Sequence, residues 1–116
     1  MIHSKDIGLH SILAEFKHEF KNGWSAILFA TENNSGISIA SLEKESVLQI
    51  TKKNFQDKVI CILQGEAVTI AGEDKNDLNK FAVYIMQTPS IKIWSKTDLL
   101  FLVVEFTEKN KNKESK

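Results

Sequence analysis

The chain has 116 residues, 42% of them hydrophobic, with fifteen basic residues against fifteen acidic ones and a formal net charge of zero. That length supports one hydrophobic core and not two ordinary domains. Every basic residue is lysine, which argues against a nucleic-acid binder, because such proteins need a basic face and use arginine forks to grip phosphate or guanine.

The N-terminal stretch MIHSKDIGLHSILAEFKHEF lacks the continuous apolar run and the small-residue cleavage site of a secretory signal. Within it Leu9, Ile12, Leu13, Phe16 and Phe20 fall at helical spacing, which predicts an amphipathic helix over residues 9–21, ended by Asn22-Gly23. A first strand is the alternative reading of the same residues. From Trp24 onward the pattern changes to short strands rich in Ile, Val, Phe and Leu. WSAILFAT and ISIASL flank a turn at ENNSG, and SVLQIT precedes the loop KKNFQD. Then come KVICIL and EAVTIAG, a loop at EDKND, and finally FAVYIMQ, IKIWSK and LLFLVVEF. About eight strands at this spacing, with no helix between them, predict an antiparallel sandwich, barrel or jelly roll. The polar tail, residues 109–116, reads as disordered. The expected organisation is therefore an N-terminal segment over 1–23, a β-barrel over 24–108, and that tail.

Leu99 to Val104 is the longest apolar run and is far too short to span a bilayer. The expectation is a cytoplasmic protein with no membrane partner. A single cysteine, Cys61, leaves no intramolecular disulfide and fits a reducing compartment. KVICIL is apolar on both faces, Val59, Cys61 and Leu63 on one and Ile60 and Ile62 on the other. A strand with one face in water would alternate. Something must cover the second face, either the N-terminal segment or another copy of the chain, so a homodimer is expected.

The stretches ILQGEAVTIAGED, KFAVYIMQTPSIKIW and LLFLVVEF, in that order and spacing, resemble the barrel strands of the cupin superfamily, small double-stranded β-helices of the jelly-roll type. The resemblance covers Trp24 to Phe106 and implies an all-β, cupin-like barrel; an unrelated small β-sandwich is the competing fold. The family's first motif places two histidines one residue apart, a glutamate three or four residues later, then six residues and a glycine. With Gly65 as that glycine, Lys58 takes the glutamate position, and Lys52 and Asn54, or Thr51 and Lys53, take the histidine positions. In the second motif Lys80 and Thr88 fall on the glycines, Met86 on the proline and Ile91 on the histidine.

No residue at those positions suits a divalent metal: lysine is cationic, an asparagine amide is a weak donor, and isoleucine has no donor atom. His3, His10 and His18 all precede the barrel. No metal, cofactor or catalytic residue is therefore expected. The resemblance implies a barrel mouth near Lys52, Asn54, Lys58, Met86 and Ile91 for an anionic small molecule, with Glu105 as a possible partner of Lys58.

Other features read more plainly. Cys61 is a core cysteine rather than a nucleophile, since no base is placed beside it. His18 with Glu15 and Glu19 is a polar face, and Glu73, Asp74 and Asp77 are turn residues without the spacing of a calcium loop. Trp24, Tyr84 and Trp94 read as core or interface aromatics. The expected function is a metal-free, non-catalytic small-molecule-binding or interaction module. A metal-independent isomerase or epimerase acting on a sugar or small acid, and a structural homodimer with a packed barrel, are the rivals.

Overall fold

The structure is a computed structural model and describes residues 17–31 and 35–107. Its first element is a hairpin, β1 (Lys17–Phe20) and β2 (Gly23–Ala30), joined by Lys21 and Asn22 with Asn22 at φ 65°. The end of the expected helix is therefore a strand, and residues 9–16 lie outside the described residues. A four-residue spacing such as Phe16 to Phe20 is one helical turn but also an even number of strand positions, so it serves either period. The left-handed residue that reads as a helix stop instead makes a hairpin turn.

β3 (Gly36–Leu42), β4 (Val47–Thr51), β5 (Gln56–Gln64) and β6 (Ala67–Ala71) follow as the alternating apolar runs predict. β7 (Asp74–Leu78) is a strand where a loop was expected. It pairs with β6 through the turn at Gly72, and all but its last residue are exposed, so it carries no apolar signal. β8 (Val83–Ile85), β9 (Ser90–Ser95) and β10 (Leu99–Thr107) complete the chain described.

These strands form two antiparallel sheets, one of six strands in the order β1-β2-β3-β10-β5-β8 and one of four in the order β4-β9-β6-β7. The sheets close on a shared core. Phe101, Ile60 and Ile62 from the first meet Ile91, Ile93 and Ala67 from the second, all with 2% exposure or less. Leu42, Leu78, Leu99 and Met86 fill the remaining volume. Ser95 locks the corner before β4: its hydroxyl donates to the Glu43 carbonyl and accepts from the Ser46 N–H at 3.0 Å.

Gly65, which closes the first motif, has φ 92°, and a Cβ there would overlap the Asp98 carbonyl oxygen. Only glycine fits a turn that is both left-handed and pressed against the β9–β10 turn. On β5, Ile60 and Ile62 face the core while Val59, Cys61 and Leu63 are half-buried on the other side. Cys61 is thus on the outer face of the six-stranded sheet and not in the core, because the core-facing parity belongs to the isoleucines. Among the described residues there is no helix, so none is long and apolar enough to cross a membrane.

Candidate functional site

β5 and β10 run antiparallel, and their core-facing partners change character along the pair. Ile62 lies opposite Phe101 and Ile60 opposite Val103; then Lys58 lies opposite Glu105 and Gln56 opposite Thr107. The interior of the barrel is thus apolar in its middle and polar towards one mouth.

At that mouth the Lys58 Nζ donates to the Thr51 carbonyl at 2.6 Å and sits 3.9 Å from the Glu105 Oε2, with 16% and 31% of the two side chains exposed. The same Glu105 oxygen accepts from Gln56 Nε2 at 2.8 Å. Gln56, 7% exposed, also accepts the Lys53 N–H on its Oε1 at 3.2 Å, and its carbonyl accepts from Lys52 Nζ at 3.1 Å. The β4–β5 loop is fixed further by the Lys52 N–H donating to the Pro89 carbonyl at 2.8 Å. A lysine this shielded needs a counter-charge or an acceptor, and it has both.

Above this floor a cleft of about 490 Å³ opens between the β2–β3 hairpin and the β4–β5 loop. Small-ligand pockets run roughly 300–1,000 Å³, so the volume suits a small molecule. One wall is apolar, made by Ile27, Phe29, Ile37 and Phe55. A bulge in β2 between Ile27 and Phe29 sets Phe29 opposite Ile37. Ile27, Phe29 and Phe55 are about half exposed, at 50%, 57% and 46%. The charged lining is Lys52, Lys53 and Lys58 against Glu105. Three ammonium groups face one carboxylate, and that carboxylate already accepts from Gln56 and pairs with Lys58. The described lining is therefore net cationic.

Of the five residues expected at the mouth, Lys52 and Lys58 line the cleft, and Glu105 is the partner of Lys58 as the sequence suggests. The other three do not line it. Asn54 is exposed and outside the cleft, while Met86 and Ile91 are core residues at 3% and 2% exposure. Ile91, on β9, and Met86, just past the end of β8, lie in the same buried cluster as Ile60 and Phe101. Sequence reasoning missed Gln56 and the wall of Ile27, Phe29 and Phe55. A large apolar residue inside the polar loop KKNFQD was the available signal. Trp24, Tyr84 and Trp94 do not line the cleft, and Tyr84 packs against the core.

The residues at the family's ligand positions do not fit a divalent cation. Lys58 presents an ammonium already held by oxygen acceptors, Ile91 has no donor, Asn54 is exposed outside the cleft, and Thr51 and Lys53 are exposed. Among the described residues no three His, Cys, Asp or Glu side chains cluster. His18 is exposed, its ring 6.2 Å from that of Phe20.

The two sheets, their order and the mouth at one end of the barrel define a cupin-like fold, the all-β jelly-roll class the sequence resembles. The cupin domain of Schizosaccharomyces pombe Cnp3 superposes with a TM-score of 0.70 at 17% identity, covering 85% of this chain and 73% of that one. Ectoine synthase from P. lautus gives 0.73 at 14% identity, over 92% and 83% of the two chains. A predicted oxalate decarboxylase from Thermotoga maritima gives 0.69 at 20%, over 79% and 92%. At these identities the likeness is one of fold. No protein-family model matches the chain, and no curated protein matches it in sequence.

Proposed function

We propose that the protein binds a small organic anion with an apolar body in the cleft, without a resident metal and without catalysing a reaction on it. The observation that carries this reading is the pairing of a net cationic floor, Lys52, Lys53 and Lys58 against Glu105, with the exposed apolar wall of Ile27, Phe29 and Phe55. A carboxylate is held by the lysines while its hydrocarbon part removes the wall from water. The poor fit of the ligand positions to a metal supports the metal-free part.

Isothermal titration of the purified chain with straight-chain and aromatic carboxylates, and with their neutral amides, tests the reading. Binding of acids and not amides, lost in Lys58→Met, is expected. Equal binding of both, or of neither, sinks it. Metal content is measured on the same sample by plasma mass spectrometry, and near-stoichiometric iron, zinc, nickel or manganese overturns the metal-free part.

A second reading rests on the same floor. Lys58 and Glu105 face one another at 3.9 Å, and an ammonium beside a carboxylate is the pair that a metal-independent proton transfer uses. Two neighbours by fold are named as a synthase and a predicted decarboxylase. Exchange of a carbon-bound hydrogen of a bound acid with deuterated solvent, followed by NMR, would move the protein to that class.

A further inference from the structure

Lys58 and Glu105 are only partly spent on one another. An ammonium carries three N–H donors, and the Thr51 carbonyl accepts one from Lys58 at 2.6 Å. The 3.9 Å from Lys58 Nζ to the Glu105 Oε2 exceeds a hydrogen bond, so the lysine keeps donors for a ligand. Glu105 is engaged through one oxygen alone: Oε2 accepts from Gln56 Nε2 and is the oxygen beside Lys58. Its Oε1 has no hydrogen-bond partner among the described residues, and the side chain is part-exposed and lines the cleft.

The strand beside it adds no side chain there. On β3, Gly36 is the residue opposite Glu105, and a Cβ at that position would overlap the Phe29 carbonyl oxygen. The floor therefore presents a cationic donor and a half-used anionic acceptor side by side, with the apolar wall of Ile27, Phe29 and Phe55 lining the same cleft. A plain carboxylate with a hydrocarbon body answers the lysines and the wall only. Covering Oε1 without donating to it would strip water from a charged acceptor, which opposes binding.

We infer that the ligand is a hydroxy acid whose carboxylate is held by the lysines, whose hydroxyl donates to Glu105 Oε1, and whose hydrocarbon body lies on the apolar wall. This deepens the carboxylate-binding reading above and rests on it. The short separation of Lys58 and Glu105 sets the spacing of the two ligand groups, so the hydroxyl belongs on the carbon next to the carboxylate or one further along. A hydroxyl suits the acceptor better than an ammonium does. Three lysines already line the cleft against one carboxylate, and a further cation would meet their repulsion.

Isothermal titration of the full chain with phenyllactate, phenylpropanoate and phenylalanine is the test. The three share one carbon skeleton and differ beside the carboxylate in a hydroxyl, a hydrogen or an ammonium. Phenyllactate is expected to bind about tenfold tighter than either of the others, the effect of one hydrogen bond to a charged acceptor. In Glu105→Gln the carboxamide oxygen still accepts from Gln56, while its NH2 replaces the free acceptor, and the two acids are expected to bind alike. A loss of stability alone would not change that ratio, and the wild-type comparison stands by itself if the variant does not fold. Equal wild-type binding of phenyllactate and phenylpropanoate overturns the hydroxy-acid inference and leaves the carboxylate reading in place. Tighter binding of phenylalanine overturns it in favour of amino acids, and a preference that persists in Glu105→Gln overturns the role of Glu105. Binding of none of the three overturns both readings.

Discussion

At the middle of the barrel Ile62 faces Phe101 and Ile60 faces Val103, whereas further along the same two strands Lys58 faces Glu105 and Gln56 faces Thr107. The backbone ladder is shared, so the difference lies in the side chains alone. The apolar pairs stabilise by leaving water. The polar pairs nearly balance desolvation against hydrogen bonding and leave a mouth that a ligand can enter. One strand pair thus divides its length between holding the fold and holding a site.

Truncation at the apolar end should cost most. Phe101→Ala removes a fully buried ring and is expected to lower the unfolding free energy by about 3–5 kcal/mol in urea titration; a loss under about 1 kcal/mol would mean the middle of the barrel is not its stabilising centre. Gln56→Ala deletes the bonds to Glu105 and to the Lys53 N–H and should cost about 1–3 kcal/mol, with the β4–β5 loop more open to proteolysis.

Lys58→Met should divide the two roles. Stability is expected to stay within about 1 kcal/mol, since the cation and its partner both keep some contact with water, while affinity for a carboxylate falls at least tenfold. A large stability loss with unchanged affinity would make Lys58 a structural residue. The smallest effect comes from Thr69, fully buried in β6, whose hydroxyl has no partner among the described residues. Thr69→Val is expected to be neutral or to raise stability by about 1 kcal/mol, a change that thermal unfolding detects.

Where burial writes an apolar period the sequence was legible. β5 and β10 read as strands because isoleucine, leucine, valine and phenylalanine occupy both faces, and the spacing to Gly65 carried the cupin likeness. The Lys58–Glu105 pair was half legible: a strand lysine aimed into a barrel needs a carboxylate such as Glu105, but a lysine at the start of its strand reads as readily as one reaching water. β7 was not, because an edge strand whose DKND residues are all exposed carries turn-like composition. The apolar wall was missed for a different reason. Ile27 and Phe29 read as ordinary strand residues, and nothing in their periodicity marks the bulge that follows Ile27 or the cleft that both line. Met86 and Ile91 were placed at the mouth by motif alignment, whereas both sit in the buried core cluster.

β10 is the last strand described and lies between β3 and β5 in the six-stranded sheet. Until residue 107 has left the ribosome, the strands that flank it have no neighbour on that side, and their apolar faces stay open to solvent or to other nascent chains. Long-range antiparallel pairing of this kind folds slowly, on the millisecond-to-second scale. Synthesis therefore passes through an interval in which most of the barrel exists and its sheet is still split in two. In that interval the unpaired strand edges and open apolar faces of the chain are most exposed to aggregation.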